Sequence, residues 1–87
     1  MPVDNLTIEQ LAKEICELND KPGGNPEGTE EFEVLEEVIA EAPDVQQAVN
    51  AAWRGVRSHR WQSQQLRQTM LSCMSGLQRR VERGKRK

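Results

Sequence analysis

Three side chains in this sequence are of the types from which a nucleophilic or metal site is assembled: Cys16, His59 and Cys73. A thiolate–imidazole pair needs its two groups within hydrogen-bond reach. The two cysteines are 57 positions apart. On a continuous helix, His59 and Cys73 would lie ~21 Å from each other, so such a pair would need Cys16 or a second chain. No Cys/His spacing matches a zinc pattern. Carboxylates are plentiful in Glu30, Glu31, Glu33, Glu36 and Glu37, but at this spacing they read as a solvated helix face. Catalysis needs convergent groups tuned by their surroundings. No catalytic residue, metal ligand or cofactor is assigned, no small-molecule substrate is expected, and the reading is a non-enzymatic one.

The chemistry that this chain does concentrate is cationic. Arg54, Arg57, Arg60, Arg67, Arg79, Arg80 and Arg83 precede a tail of Lys85, Arg86 and Lys87. Arginine's planar fork suits phosphate and carboxylate, and Trp53 and Trp61 lie among the first of these arginines. Basic residues interleaved with aromatics fit contact with nucleic acid or another polyanion. A rival partner lies in the chain itself. Residues 1–44 hold thirteen acids against Lys13 and Lys21, a net of −11, whereas residues 45–87 hold ten bases against Glu82, a net of +9. Such asymmetry points either to an interaction surface or to the two halves meeting each other. The glutamate-rich segment, with Glu30, Glu33, Glu36 and Glu37, is a candidate docking face for a basic protein, as are Trp53 and Trp61. Arg79, Arg80 and Arg83 with the tail lie furthest from the acids if the C-terminal half is straight, which makes them the stronger nucleic-acid candidates.

The elements that must position these groups are helical. Thr7 and Gln10 form a capping box with Leu6 and Leu11 at the staple positions, and Ile8, Leu11, Ala12, Ile15 and Leu18 make an apolar face over a helix at 7–19. Two prolines and three glycines in Lys21–Gly28 place a loop at 20–28. That loop lacks the Walker spacing and a preceding strand, so it is no phosphate cradle. Thr29 caps a second helix at 29–42, with Phe32, Leu35, Val38, Ile39 and Ala42 inward. Pro43 breaks it, and Asp44 with Gln47 caps a third.

From Asp44 to Arg83 there is no proline and only Gly55 and Gly76. Val45, Val49, Ala52, Val56, His59, Ser63, Leu66, Met70, Cys73 and Leu77 keep the spacing of a coiled-coil seam. His59 in that seam reads as a polar position fixing register, with a pH-responsive role as the alternative. The segment 57–63 is the only plausible break, but without Pro or Gly a continuous helix over 44–83 is favoured. Two helices of ~18–20 Å cannot cover one of ~60 Å. Leu66, Met70, Cys73 and Leu77 are then left as an oligomer seam, and a homodimer or higher oligomer follows. A small core, with an apolar share of 36% and Phe32, Trp53 and Trp61 its only aromatics, points the same way. A helix-turn-helix across 39–53 is weak, because Asn50 falls where an aliphatic residue should be buried and glutamates would face DNA.

With no membrane-length run and no apolar leader, a soluble cytoplasmic chain with free thiols is expected. The expected fold is a single all-α domain. Two short acidic amphipathic helices pack on one long basic C-terminal helix, with a basic tail at 84–87 and self-association completing the bundle. The expected function is regulatory binding of nucleic acid or another polyanion through the arginine-rich C-terminal helix and tail. The alternatives are an inhibitor or adaptor of the phage or mobile-element type that occupies a basic site through the second helix, and an oligomeric scaffold.

Overall fold

The structure, a computed structural model, describes residues 4–84. Four helices follow one another: α1 Asn5–Asn19, α2 Glu30–Ala40, α3 Val45–Ser58 and α4 Gln64–Gly84. No strand occurs among the described residues. No helix among them is long and apolar enough to cross a membrane.

Helix α1 begins two residues earlier than the capping box at Thr7 suggests. Asp4 is the cap, its carboxylate accepting the Thr7 amide at 2.8 Å. That bond holds the Asp4 carboxyl below its ordinary value, because an ionised cap oxygen pairs best with the free amides of a first turn. Ile8, Ala12, Ile15 and Cys16 face the core, while Leu6 and Leu18 remain exposed. The helix closes on Asn19, whose buried amide donates to the Ile15 carbonyl at 2.9 Å. In the loop that follows, Gly23 and Gly28 take positive φ of 79° and 91°, a region that glycine enters without steric cost.

The caps expected for the next two helices are in place. The Thr29 hydroxyl accepts the Phe32 amide at 3.3 Å and donates to the Pro26 carbonyl at 2.7 Å. The Asp44 carboxylate accepts the Gln47 amide at 3.2 Å. Phe32, Leu35 and Ile39 make the inward face of α2. Ala48, Ala51, Ala52 and Gly55 are buried in α3, whose pairing with α1 is the most extensive in the fold. Small side chains there let two backbones approach closely.

The long helix over 44–83 is not continuous. His59 takes an extended conformation after Ser58, and the chain restarts at Gln64, where the Ser63 hydroxyl accepts the Leu66 amide at 3.2 Å. The break falls within the 57–63 segment and serves burial. By folding back, α4 brings Met70, Cys73, Met74, Leu77 and Val81 into the same core as Ile8, Ile15, Phe32, Leu35 and Val56. A straight helix would have left that apolar surface in water at about 25 cal/mol per Å². Of the residues expected to form an oligomer seam, Met70, Cys73 and Leu77 are buried within the chain and Leu66 is half-buried. Most of the surface that called for a second copy is covered by the chain itself.

Candidate nucleic-acid interface

The turn between α3 and α4 is held by a residue from the far side of the sequence. Asp20, just past the end of α1, lies 2.8 Å from Nε2 of His59 through one carboxylate oxygen. The same carboxylate accepts the Gln62 amide, at 3.1 and 3.2 Å from its two oxygens. A carboxylate only accepts, so His59 Nε2 carries the proton in this bond. The two side chains are 7% and 12% exposed, which makes this the most buried polar link between the halves. His59 therefore sets how α3 turns into α4. It does not fix the register of a seam.

Around this clasp the arginines sort into two groups. Arg54 pairs with Glu9 at 3.2 Å, and Arg80 grips Glu36 with Nε and Nη2 at 2.9–3.1 Å. The Glu36 carboxylate holds the Arg80 guanidinium above its ordinary value. These two are neutralised within the chain. Arg80, expected in the free C-terminal patch, is drawn to α2 because α4 folds back. Arg57, Arg60, Arg67, Arg79 and Arg83 make no ion pair among the described residues. Lys85, Arg86 and Lys87 lie outside the described residues.

Arg57 at the end of α3 and Arg67 in the first turn of α4 line one hollow of ≈ 90 Å³, together with Val56, His59, Trp61 and Leu71. Trp61 meets the His59 ring edge-on, with centroids 4.6 Å apart and planes at 76°. Arg57 also lies over the Trp53 ring, 5.5 Å from its centroid, and Trp53 Nε1 donates to Gln78 Oε1 at 3.0 Å. Arg60 stands exposed in the turn beside them. Arg79 and Arg83 are exposed at the other end of α4, ~18 Å or more along the helix axis from Arg67. The arginines offered by the sequence as one surface are thus divided into a corner at 57–67, two internal pairs, and a distal pair.

On α2, Glu30, Glu31, Glu33 and Glu37 are exposed, with Glu41 just beyond. None of them is in an ion pair among the described residues, whereas Glu36 is engaged by Arg80. Trp53 and Trp61 are half-buried against the α3–α4 turn and do not lie on the acidic helices.

Sequence reasoning passed over Asp20, and the reason is physical. Nothing local marks an aspartate after a helix as the partner of a histidine 39 residues later. Ser63, read as a seam position, instead accepts the Leu66 amide and caps α4. Comparison with protein-family models, with curated proteins and with solved structures finds no match.

Both thiols are free and buried. Burial, then the neighbouring carboxylates of Asp20 and Glu17, push the Cys16 thiol up to about 12 from 9.0. Burial likewise raises Cys73. A folded-state value above the unfolded one means that the protonated thiol's contribution to stability is complete below about pH 9 and is lost as pH climbs toward 12. Stability measured by urea unfolding should decline over that range, and the decline should be shallower in Cys16→Ala. An equal slope in the two proteins would show that Cys16 is not its source.

Proposed function

We propose that this chain is a non-catalytic regulatory binding protein that engages nucleic acid or a similar polyanion through the arginine corner at the α3–α4 turn. One observation carries the reading: Arg57 and Arg67 converge on a single hollow with Trp61, while Arg54 and Arg80 are already spent on the chain's own glutamates. Two arginines without an ion pair among the described residues, on one hollow beside aromatic side chains, suit the phosphate oxygens of a polyanion. Arg60 enlarges the same cationic surface. Arg79 and Arg83, exposed at the far end of α4, form a separate cationic pair.

A labelled oligonucleotide should bind with an affinity that falls steeply as salt rises, since each neutralised phosphate releases condensed counterions. Joint reversal, Arg57→Glu with Arg67→Glu, should weaken binding about tenfold or more and flatten the salt slope. Arg80→Gln should leave binding within about twofold, because that side chain is committed to Glu36. Absence of binding at low salt, or equal loss in all these variants, would sink the proposal.

A second reading has its own observation. Glu30, Glu31, Glu33, Glu37 and Glu41 present exposed carboxylates on or next to one short helix, with Val34 exposed among them. That face suits a basic site on a protein partner, as an inhibitor or adaptor would need. Reversal of Glu33 and Glu37 to Lys should abolish such a complex without affecting oligonucleotide binding. Recovery of the same complex by wild type and variant would count against it. An oligomeric scaffold is the third possibility, tested by light scattering; a monomer mass at micromolar concentration removes it.

A further inference from the structure

We infer that the hollow between Arg57 and Arg67 takes the edge of one unpaired nucleobase, so that the ligand is single-stranded nucleic acid. This rests on the reading of the arginine corner as a polyanion site. A bare polyanion would use the guanidiniums alone. Here, the two arginines line a hollow that they share with apolar and aromatic surface from Val56, Trp61 and Leu71. An occupant matched to all of it has an anionic part for the arginines and a flat part that carries hydrogen-bonding edges, because His59 and the arginines line the hollow along with Val56, Trp61 and Leu71. A nucleotide has both.

The hollow's size narrows the class further. At ≈ 90 Å³ it admits part of a single planar ring and has no room for a base pair. In a duplex the bases are stacked and paired, so a ring can enter only if it is already unpaired or is flipped out at an unstacking cost. The two tryptophans are not equivalent for this purpose. Arg57 already occupies the Trp53 ring as a cation–π partner, and the Trp53 N–H is bonded to Gln78. Trp61 lines the hollow and is only half-buried. Trp61 is therefore the stacking residue, with His59 braced edge-on against it. Three cations across the turn, Arg57, Arg60 and Arg67, suit the repeated phosphates of a strand better than the single phosphate of a modified tyrosine.

The decisive comparison uses the wild-type protein. Its affinity would be measured for a 20-nucleotide single strand, for an abasic strand of the same length, for the corresponding duplex, for inorganic polyphosphate and for a phosphotyrosine peptide. The single strand should bind about tenfold or more tighter than the abasic strand, the scale expected for one base–aromatic stack. It should also out-compete the duplex and quench tryptophan fluorescence, which polyphosphate should not do. Trp61→Ala should abolish the difference between single strand and abasic strand, and Trp61→Phe should keep most of it. Equal affinity for the two strands, or tighter binding of duplex or phosphotyrosine peptide, overturns the inference. If polyphosphate still binds in an Arg57- and Arg67-dependent way, only the base-insertion inference has failed. If no polyanion binds, the corner's assignment has failed with it.

Discussion

Gly55→Ala should destabilise the protein by about 2–3 kcal/mol, although in an exposed helix the same exchange stabilises by up to about 1 kcal/mol. Gly55 sits in α3 where α1 crosses it most closely. A Cβ built there collides with the Glu9 carbonyl oxygen and lies 3.0 Å from the Ala12 methyl. Neither neighbour can swing away, since one is helix backbone and the other a buried alanine. The only relief is to push α1 off α3, which opens the Ala12, Ala48, Ala51 and Ala52 contact. Gly76→Ala is the matched control. Its Cβ would meet only the flexible Arg80 guanidinium at 3.3 Å, so it should gain about 0.5–1 kcal/mol. Urea unfolding followed by circular dichroism measures both. In a domain of this size each kcal/mol corresponds to about 4–8 °C in Tm, so the two variants should melt on opposite sides of the wild type. Stabilisation by both would mean that α1 and α3 are not packed at Gly55 as described.

Asp20→Ala should cost about 2–3 kcal/mol, the scale of hydrogen bonds to a charged group that leave a buried partner unmatched. The carboxylate is the shared acceptor of the His59 imidazole and the Gln62 amide, and among the described residues no second acceptor is bonded to either of them through those atoms. His59→Ala removes one of the two bonds and should cost less. Because the two residues share one contact, the double variant should be more stable than the summed single losses predict, with a coupling of about 1–2 kcal/mol. Strict additivity would show that the pair carries no interaction of its own. The effect should also reach the arginine corner, since Arg57 and Arg67 are brought together only while the turn between them is held.

These two positions also mark where the sequence was legible and where it was not. The apolar positions of α1 and α2 other than Leu18, which is exposed, the Thr29 and Asp44 caps and the Pro/Gly loop were readable, because each depends on residues within one or two turns. All-helical architecture follows from the same local patterns. Misplacement of the first cap has a local cause too: Asp4 and Thr7 are both good caps three residues apart, and the carboxylate takes the position. The break at His59–Ser63 was visible as the weakest stretch of the seam, but continuity was favoured for want of Pro or Gly. Helix propensity is a weak prior there. What decides the break is burial of Met70, Met74 and Leu77 against helices more than thirty residues away, together with an aspartate that local spacing cannot connect to the turn. The arginine corner inherits that difficulty. Arg57 and Arg67 share a hollow only because the helix breaks, and a straight helix would have ranked the C-terminal arginines first.

The folding back of α4 has a further consequence for how the molecule is seen by other ions. Arg67 and Arg80 lie thirteen residues apart on α4, ~20 Å along its axis, and Arg80 is anchored on the acidic helix through Glu36. That distance exceeds the Debye length of about 8 Å at physiological ionic strength. A polyanion approaching the corner, as proposed, would therefore be screened from the α2 carboxylates, although the chain's net charge is −2. At about 10 mM salt the Debye length grows to about 30 Å, comparable with the 37 Å long axis of the fold. The remote carboxylates would then act on such a ligand as well, so the proposed binding should gain less affinity than expected as salt is removed further. The small ions of the solvent insulate one end of this protein from the other.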